Sequence, residues 1–194
     1  YGAFLSVFRS HGSDTPREVW RFGKPGEPFY DSLIKVIHLR YRLLPYIYSL
    51  AGKVHRENYT MTRTLAFDFA KDMQVADLKD EFMFGPALLV APVTNPMYYS
   101  VDSNPLGNVD KTRRVYLPDG ADWIDFWTGK KYKGGQWIVA EATINEIPLL
   151  VRQGSIIPMG PVMQYTSEKI DAEWEIRVYP GADSSFTVYE DEGD

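Results

Sequence analysis

The chain has 194 residues, 44% hydrophobic, 14% aromatic and 24% charged, with a formal net charge of −5. That apolar content suffices for one large domain or two small ones, and a mildly acidic balance argues against a nucleic-acid or anionic-membrane partner, since either would favour a basic face. There is no cysteine, which excludes disulfide staples, zinc–thiolate sites and cysteine nucleophiles and leaves the compartment open, and no apolar run approaches the roughly 18 residues of a membrane span.

In chain order, Leu5 to Phe8 is a short apolar run ending at Arg9 and reads as a buried strand. Thr15-Pro16-Arg17-Glu18 matches a helix start: Thr15 can cap, Pro16 suits the first helical position, and Glu18 can reach back to the cap amide. Gly23 is expected to end that short helix, and Lys24 to Pro28 is a Pro/Gly loop. From Asp31 onward Ile34, Ile37, Tyr41, Leu44, Tyr48 and Ala51 recur at three- and four-residue spacing, which predicts one apolar face of a long helix over 31–57. Pro45 removes an amide donor and is expected to kink that helix near Tyr41 to Leu44.

After residue 80 helical periodicity stops. Expected strands are Phe82 to Val93, broken at Gly85-Pro86; Arg113 to Leu117; and Trp123 to Trp127, turning through Thr128-Gly129-Lys130 onto Lys131-Tyr132. Trp137 to Ala140, Ile147 to Arg152, Ser155 to Pro158, Glu173 to Tyr179 and Ser185 to Tyr189 follow. Short strands punctuated by turn residues argue for an all-β sandwich. The chain therefore divides near residue 75. Its first part is too small to bury its own core, so it reads as a piece of an α/β domain. Tyr1 to Phe8 is already core-like, and Tyr189 to Asp194 reads as a strand entering a turn, so both ends read as lying within folded structure, with no signal peptide visible.

Of three histidines, His38 and His55 lie 17 residues apart on the long helix and lack the spacing of a metal pair; they read as helix-surface or core histidines. No metal or cofactor constellation is present. His11 differs. It follows a predicted strand and precedes Gly12, where α/β domains place site residues. Arg9 shares its strand parity, so both could face a barrel interior. A neutral imidazole donates and accepts at once, which suits a sugar hydroxyl. Glycoside cleavage needs two carboxyl groups flanking the bond, and no such pair stands at strand ends here. Asp125 of Trp123-Ile124-Asp125 reads as a turn acid, and Glu190, Asp191, Glu192 and Asp194 as a solvated charge run. Trp123, Trp127, Tyr132 and Trp137 are a possible sugar-stacking platform that reads better as sandwich core and cross-strand pairs.

Several stretches together resemble the downstream part of glycoside hydrolase family 31, the α-glucosidase and α-xylosidase family. Gly2-Ala3-Phe4 with Phe8-Arg9-Ser10-His11-Gly12 resembles the last barrel strand, and Leu39-Arg40-Tyr41-Arg42-Leu43-Leu44-Pro45-Tyr46-Ile47-Tyr48 the helix after it. Phe82-Met83-Phe84-Gly85-Pro86 with Val90-Ala91-Pro92-Val93 resembles the entry into the proximal sandwich. Trp123 to Gly129, Ile147-Pro148-Leu149, Arg152 to Pro158 and Val178 to Ala182 continue the likeness, and Tyr189 to Gly193 resembles the distal β-domain.

The resemblance implies an α+β fragment: the last strand and helices of a (β/α)8 barrel followed by an antiparallel β-sandwich. Residues 1–75 would be the C-terminal end of the barrel, 76–168 the proximal sandwich and 169–194 the start of the distal domain. It implies a retaining double displacement by two aspartates whose motifs this chain lacks, so the chain alone is expected to be inactive. It implies that His11 bonds the sugar in the −1 subsite and that Arg9 supports it, with no cofactor. Gly12 to Trp20 resembles bacterial α-xylosidase-type members more than eukaryotic α-glucosidases. The expected parent is a soluble bacterial enzyme, periplasmic or cytoplasmic, taking an oligosaccharide, with no nucleic-acid or membrane partner. A stand-alone carbohydrate-binding or structural module is the alternative. The exposed barrel helix is expected to self-associate or to pack on the sandwich.

Overall fold

The computed structural model describes residues 1–168 and 172–192. It is an α+β assembly in which every strand pairing is antiparallel. A 3-10 turn, Gly2–Phe4, opens the chain and a second, Val19–Arg21, follows. Helices α1 (Pro28–Arg42) and α2 (Leu44–Glu57) come next, then β1 (Thr62–Thr64) and the single-turn α3 (Leu65–Asp68). The remaining strands are β2 (Phe82–Phe84), β3 (Leu88–Val90), β4 (Thr112–Leu117), β5 (Trp123–Asp125), β6 (Lys131–Tyr132), β7 (Gln136–Glu141), β8 (Leu149–Arg152), β9 (Ile156–Met159) and β10 (Glu175–Val178). The expected start of a distal domain at residue 169 lies outside the described residues, as do Gly193 and Asp194.

Six strands form one sheet in the order β1-β2-β3-β8-β5-β6. Its two faces meet different partners. Phe84, Leu88, Val90, Leu149 and Val151 pack on one side with Leu39, Leu43, Tyr46, Ile47 and Leu50 of the helices. Met83, Leu89 and Leu150 pack on the other with Val115, Leu117, Ile138 and Ala140 of the β4–β7 ribbon. A sheet covered on both faces needs apolar side chains at successive positions, not alternate ones. That is why Leu88-Leu89-Val90 and Leu149-Leu150-Val151 are unbroken apolar runs. The sandwich is thus unequal, a six-stranded layer faced by a two-stranded ribbon, with helices on its outer side.

The helices break where Pro45 requires. Leu43 ends α1 at φ −80°, ψ 0°, and Pro45 sits in the first turn of α2. The predicted stripe Ile34-Ile37-Tyr41-Leu44-Tyr48-Ala51 is not the core face: Tyr48 and Ala51 are exposed and the others are half-buried. The core face is the neighbouring stripe Val36, Leu39, Leu43, Tyr46 and Leu50, which also has three- and four-residue spacing. These helices carry two apolar stripes, and periodicity alone cannot say which one meets the sheet.

Docking of helix onto sheet centres on Tyr46. Its hydroxyl donates to Phe84 O at 2.9 Å and accepts from Ala87 N at 3.3 Å, bracketing the β2–β3 turn. Burial pushes this phenol far above its ordinary pKa. Gly85 in that turn has φ +64°, and a Cβ there would sit 2.3 Å from Tyr46 Oη. Only glycine combines that backbone conformation with that approach.

Four local expectations fail. Leu5 to Phe8 forms no strand; among the described residues no strand pairs with it, and a lone strand leaves its amides unpaired. Thr15 does not cap a helix: the turn starts at Val19 with Glu18 as its flanking residue, three residues later than the predicted start. Ser185 to Tyr189 has no sheet partner among the described residues. Asp191 is not simply solvated, since both its oxygens accept from the Tyr48 hydroxyl at 2.7 Å.

Candidate functional site

Arg9 and His11 lie together on the exposed segment between the first two 3-10 turns, Gly2–Phe4 and Val19–Arg21. Arg9 Nη2 donates to His11 Nδ1 at 2.5 Å. A guanidinium carries donors only, so Nδ1 must be the acceptor. The neutral ring therefore carries its hydrogen on Nε2, the donor it can offer a ligand. Ser10 Oγ donates to Arg17 O at 2.9 Å, folding the segment back on itself. A Cβ on Gly12 would lie 2.3 Å from Thr15 O, so this close turn requires glycine.

The segment is fastened upstream. Phe4 is fully buried, edge-on to Phe84 with centroids 6.0 Å apart. Arg40 of α1 is 9% exposed. Its Nη1 donates to Ala3 O at 2.7 Å and to Leu5 O at 2.6 Å, and its Nη2 to Ser6 O at 3.4 Å. Its guanidinium also stands 5.4 Å from the Phe8 ring centroid. Burial lowers its pKa from the ordinary arginine value. Sequence reading missed this role, because the partner carbonyls lie 34 or more residues away.

The other singled-out residues separate cleanly. Trp123 is fully buried and its indole donates to Pro118 O at 3.2 Å. Trp127 donates to Ile147 O at 2.8 Å, and Tyr132 is half-buried. Trp137 alone of the four is substantially open, 42% exposed, and it packs on Tyr116 across the ribbon. Asp125 Oδ1 accepts from Trp127 N, Thr128 N and Thr128 Oγ1 at 2.8–2.9 Å, the turn role expected of it. His38 lines a groove of about 560 Å³ between α1 and the sheet with Lys35, Arg42, Trp127 and Arg177. His55 is exposed. Among the described residues no three metal-ligating side chains come together.

The most perturbed carboxyl is Glu81, which sequence reading did not single out. Burial pushes it up to about 7, and its side chain is 0% exposed. Its Oε1 accepts from Tyr116 N at 2.9 Å and Arg113 Nη2 at 3.4 Å. Arg113 Nη2 also reaches Asp80 Oδ2 at 2.9 Å. A raised carboxyl pKa can mark a general acid. A fully shielded one cannot touch substrate, so Glu81 ties the ribbon to the sheet.

Two family models match. "Glycosyl hydrolases family 31 TIM-barrel domain" covers residues 1–50, and "Glycosyl hydrolase family 31 C-terminal domain" covers residues 58–157. An α-xylosidase of Saccharolobus solfataricus is 38% identical over 100% of the chain, which spans 24% of that protein. Alpha-glucosidase 2 of Bacillus thermoamyloliquefaciens is 34% identical over 99%, spanning 23% of it. The crystal structure of a GH31 α-xylosidase from Xanthomonas citri superposes with a TM-score of 0.87 and 45% identity, over 99% of this chain and 20% of that one. The chain thus spans about a quarter or less of the proteins it matches. No helix among the described residues is long and apolar enough to cross a membrane.

Proposed function

The chain belongs to glycoside hydrolase family 31, and from that premise we propose that the whole protein is a retaining α-glycosidase with α-xylosides as its preferred substrates. The observation that carries the preference is 45% identity with the Xanthomonas citri α-xylosidase across 99% of the chain. An α-glucosidase of the same family is the alternative, supported by the 34% identity to the Bacillus protein. Residues 1–75 hold the end of the catalytic barrel together with β1, which already joins the sandwich sheet, 76–168 continue the proximal sandwich, and 169–194 start a distal domain. His11 donates Nε2–H to a hydroxyl of the sugar in the −1 subsite, and Arg9 fixes its tautomer. The two catalytic aspartates belong to a part of the family's length that this chain does not span. The half-buried stripe Ile34, Ile37, Tyr41 and Leu44 is the helix face left for the rest of the barrel; in the chain alone it meets a second copy or packs on the sandwich, beside which Ile34 already lies.

Initial rates with p-nitrophenyl α-xyloside and α-glucoside test the reading. The complete enzyme should favour the xyloside by about tenfold or more in kcat/KM, roughly 1.4 kcal/mol of transition-state discrimination. Preference for the glucoside would replace the substrate assignment. The 194-residue chain alone should release no p-nitrophenol, and measurable release would overturn the assignment of the carboxylates elsewhere.

A further inference from the structure

The Arg9–His11 pair sits on a weakly held segment, yet a substrate contact has to be held to within about half an ångström to be productive. Something must fix it. Phe4 is seated in the core, but it lies seven residues before His11, and Leu5 already leaves the core. The next fixed point is Arg40. Its fork takes the carbonyls of Ala3, Leu5 and Ser6, so it defines the path of the chain as it leaves the core. Its face then meets the Phe8 ring, directly before Arg9. The hydrogen bonds found for this buried cation all run to backbone oxygens of that one segment. An arginine serving only to solvate a helix end, or to pair with an acid, would not spend three bonds there.

We propose that Arg40 is the positioning residue of the Arg9–His11 pair, holding residues 3–8 against α1 so that the imidazole meets the sugar in register. The inference rests on the reading that His11 contacts substrate. Arg40 itself touches neither substrate nor the reacting atoms; it acts through the backbone of Leu5 and Ser6 and the ring of Phe8. Lysine cannot replace it, because a single ammonium cannot span three carbonyls in the fork geometry.

A double-mutant cycle in the complete enzyme tests this with Arg40→Met, His11→Ala and the pair, reading kcat/KM on p-nitrophenyl α-xyloside. Arg40→Met should lose on the order of 10²-fold, the scale of a 1 Å misplacement. The double variant should be little worse than His11→Ala alone, since a residue acting through His11 has nothing left to position. Independent, multiplying losses would overturn the positioning role and leave Arg40 a general stabiliser. Full activity in Arg40→Met would overturn it outright. Full activity in His11→Ala would instead sink the underlying reading of His11, so the two failures are distinguishable. Should Arg40→Met not fold, Arg40→Lys serves in the same cycle with the same required non-additivity.

Discussion

The segment from Leu5 to Glu18 and the six-stranded sheet sit at opposite extremes of packing in one chain. Every residue from Ser6 to Glu18 is exposed, and the segment is held by the Arg40 fork, one serine bond and the Arg9–His11 contact. Leu88, Leu89, Val90, Leu149, Leu150 and Val151 are fully buried, with apolar neighbours on both faces. Side chains that contact ligands must stay reachable, and those that fix geometry must not. Residues on weakly packed segments therefore depend on a few specific tethers, whereas the sheet depends on summed burial.

The contrast can be broken first at the sheet. Gly85→Ala places a Cβ 2.3 Å from Tyr46 Oη at a φ of +64°, and should cost about 3–5 kcal/mol from strain and overpacking together. Urea unfolding measures it. A wild-type midpoint would mean that the Tyr46 contact does not hold helix to sheet.

Glu81 gives a pH signature for the same layer. Its pKa is raised from 4.5 to about 7 by burial, so between those values the folded state keeps a proton that the unfolded chain has released. The sign follows: its contribution is complete below about pH 4.5 and is lost as pH rises through about 7. Glu81→Gln should flatten that part of the stability–pH curve, read by thermal melts across the window. An unchanged curve would remove Glu81 as its source.

Trp137 lies between the extremes, on the ribbon but open to solvent. Trp137→Ala should cost only about 0.5–1 kcal/mol through its pairing with Tyr116. Calorimetry with a xyloglucan oligosaccharide should give no saturable heat in either form. Saturable binding lost on substitution would make the ribbon a carbohydrate-binding surface.

Legibility in the sequence follows the same division. Strands β3 and β8 were readable because apolar runs bounded by Gly and Pro carry their own signal, and the β5–β6 hairpin because Thr128-Gly129-Lys130 is turn chemistry. Pro45 announced the helix break. The short β1, with its sequence Thr-Arg-Thr, has no apolar pattern, and only pairing with β2 makes it a strand. Leu5 to Phe8 had an apolar pattern but no neighbouring strand. Arg9 and His11 were singled out by position and family likeness, and the structure adds their mutual bond. Arg40 and Glu81 were silent because their roles depend on partners 32 to 37 residues away.

The central claim is that this chain contributes one substrate-contacting wall through His11 while its β layers serve as scaffold. Steady-state kinetics of His11→Ala beside Trp137→Ala, in the complete enzyme on p-nitrophenyl α-xyloside, test it most directly. The account predicts a loss on the order of 10²-fold in kcat/KM for His11→Ala, as for removal of one oriented donor to the reacting sugar, and wild-type kinetics for Trp137→Ala. Wild-type kinetics for His11→Ala, or the large loss falling on Trp137→Ala instead, would contradict it.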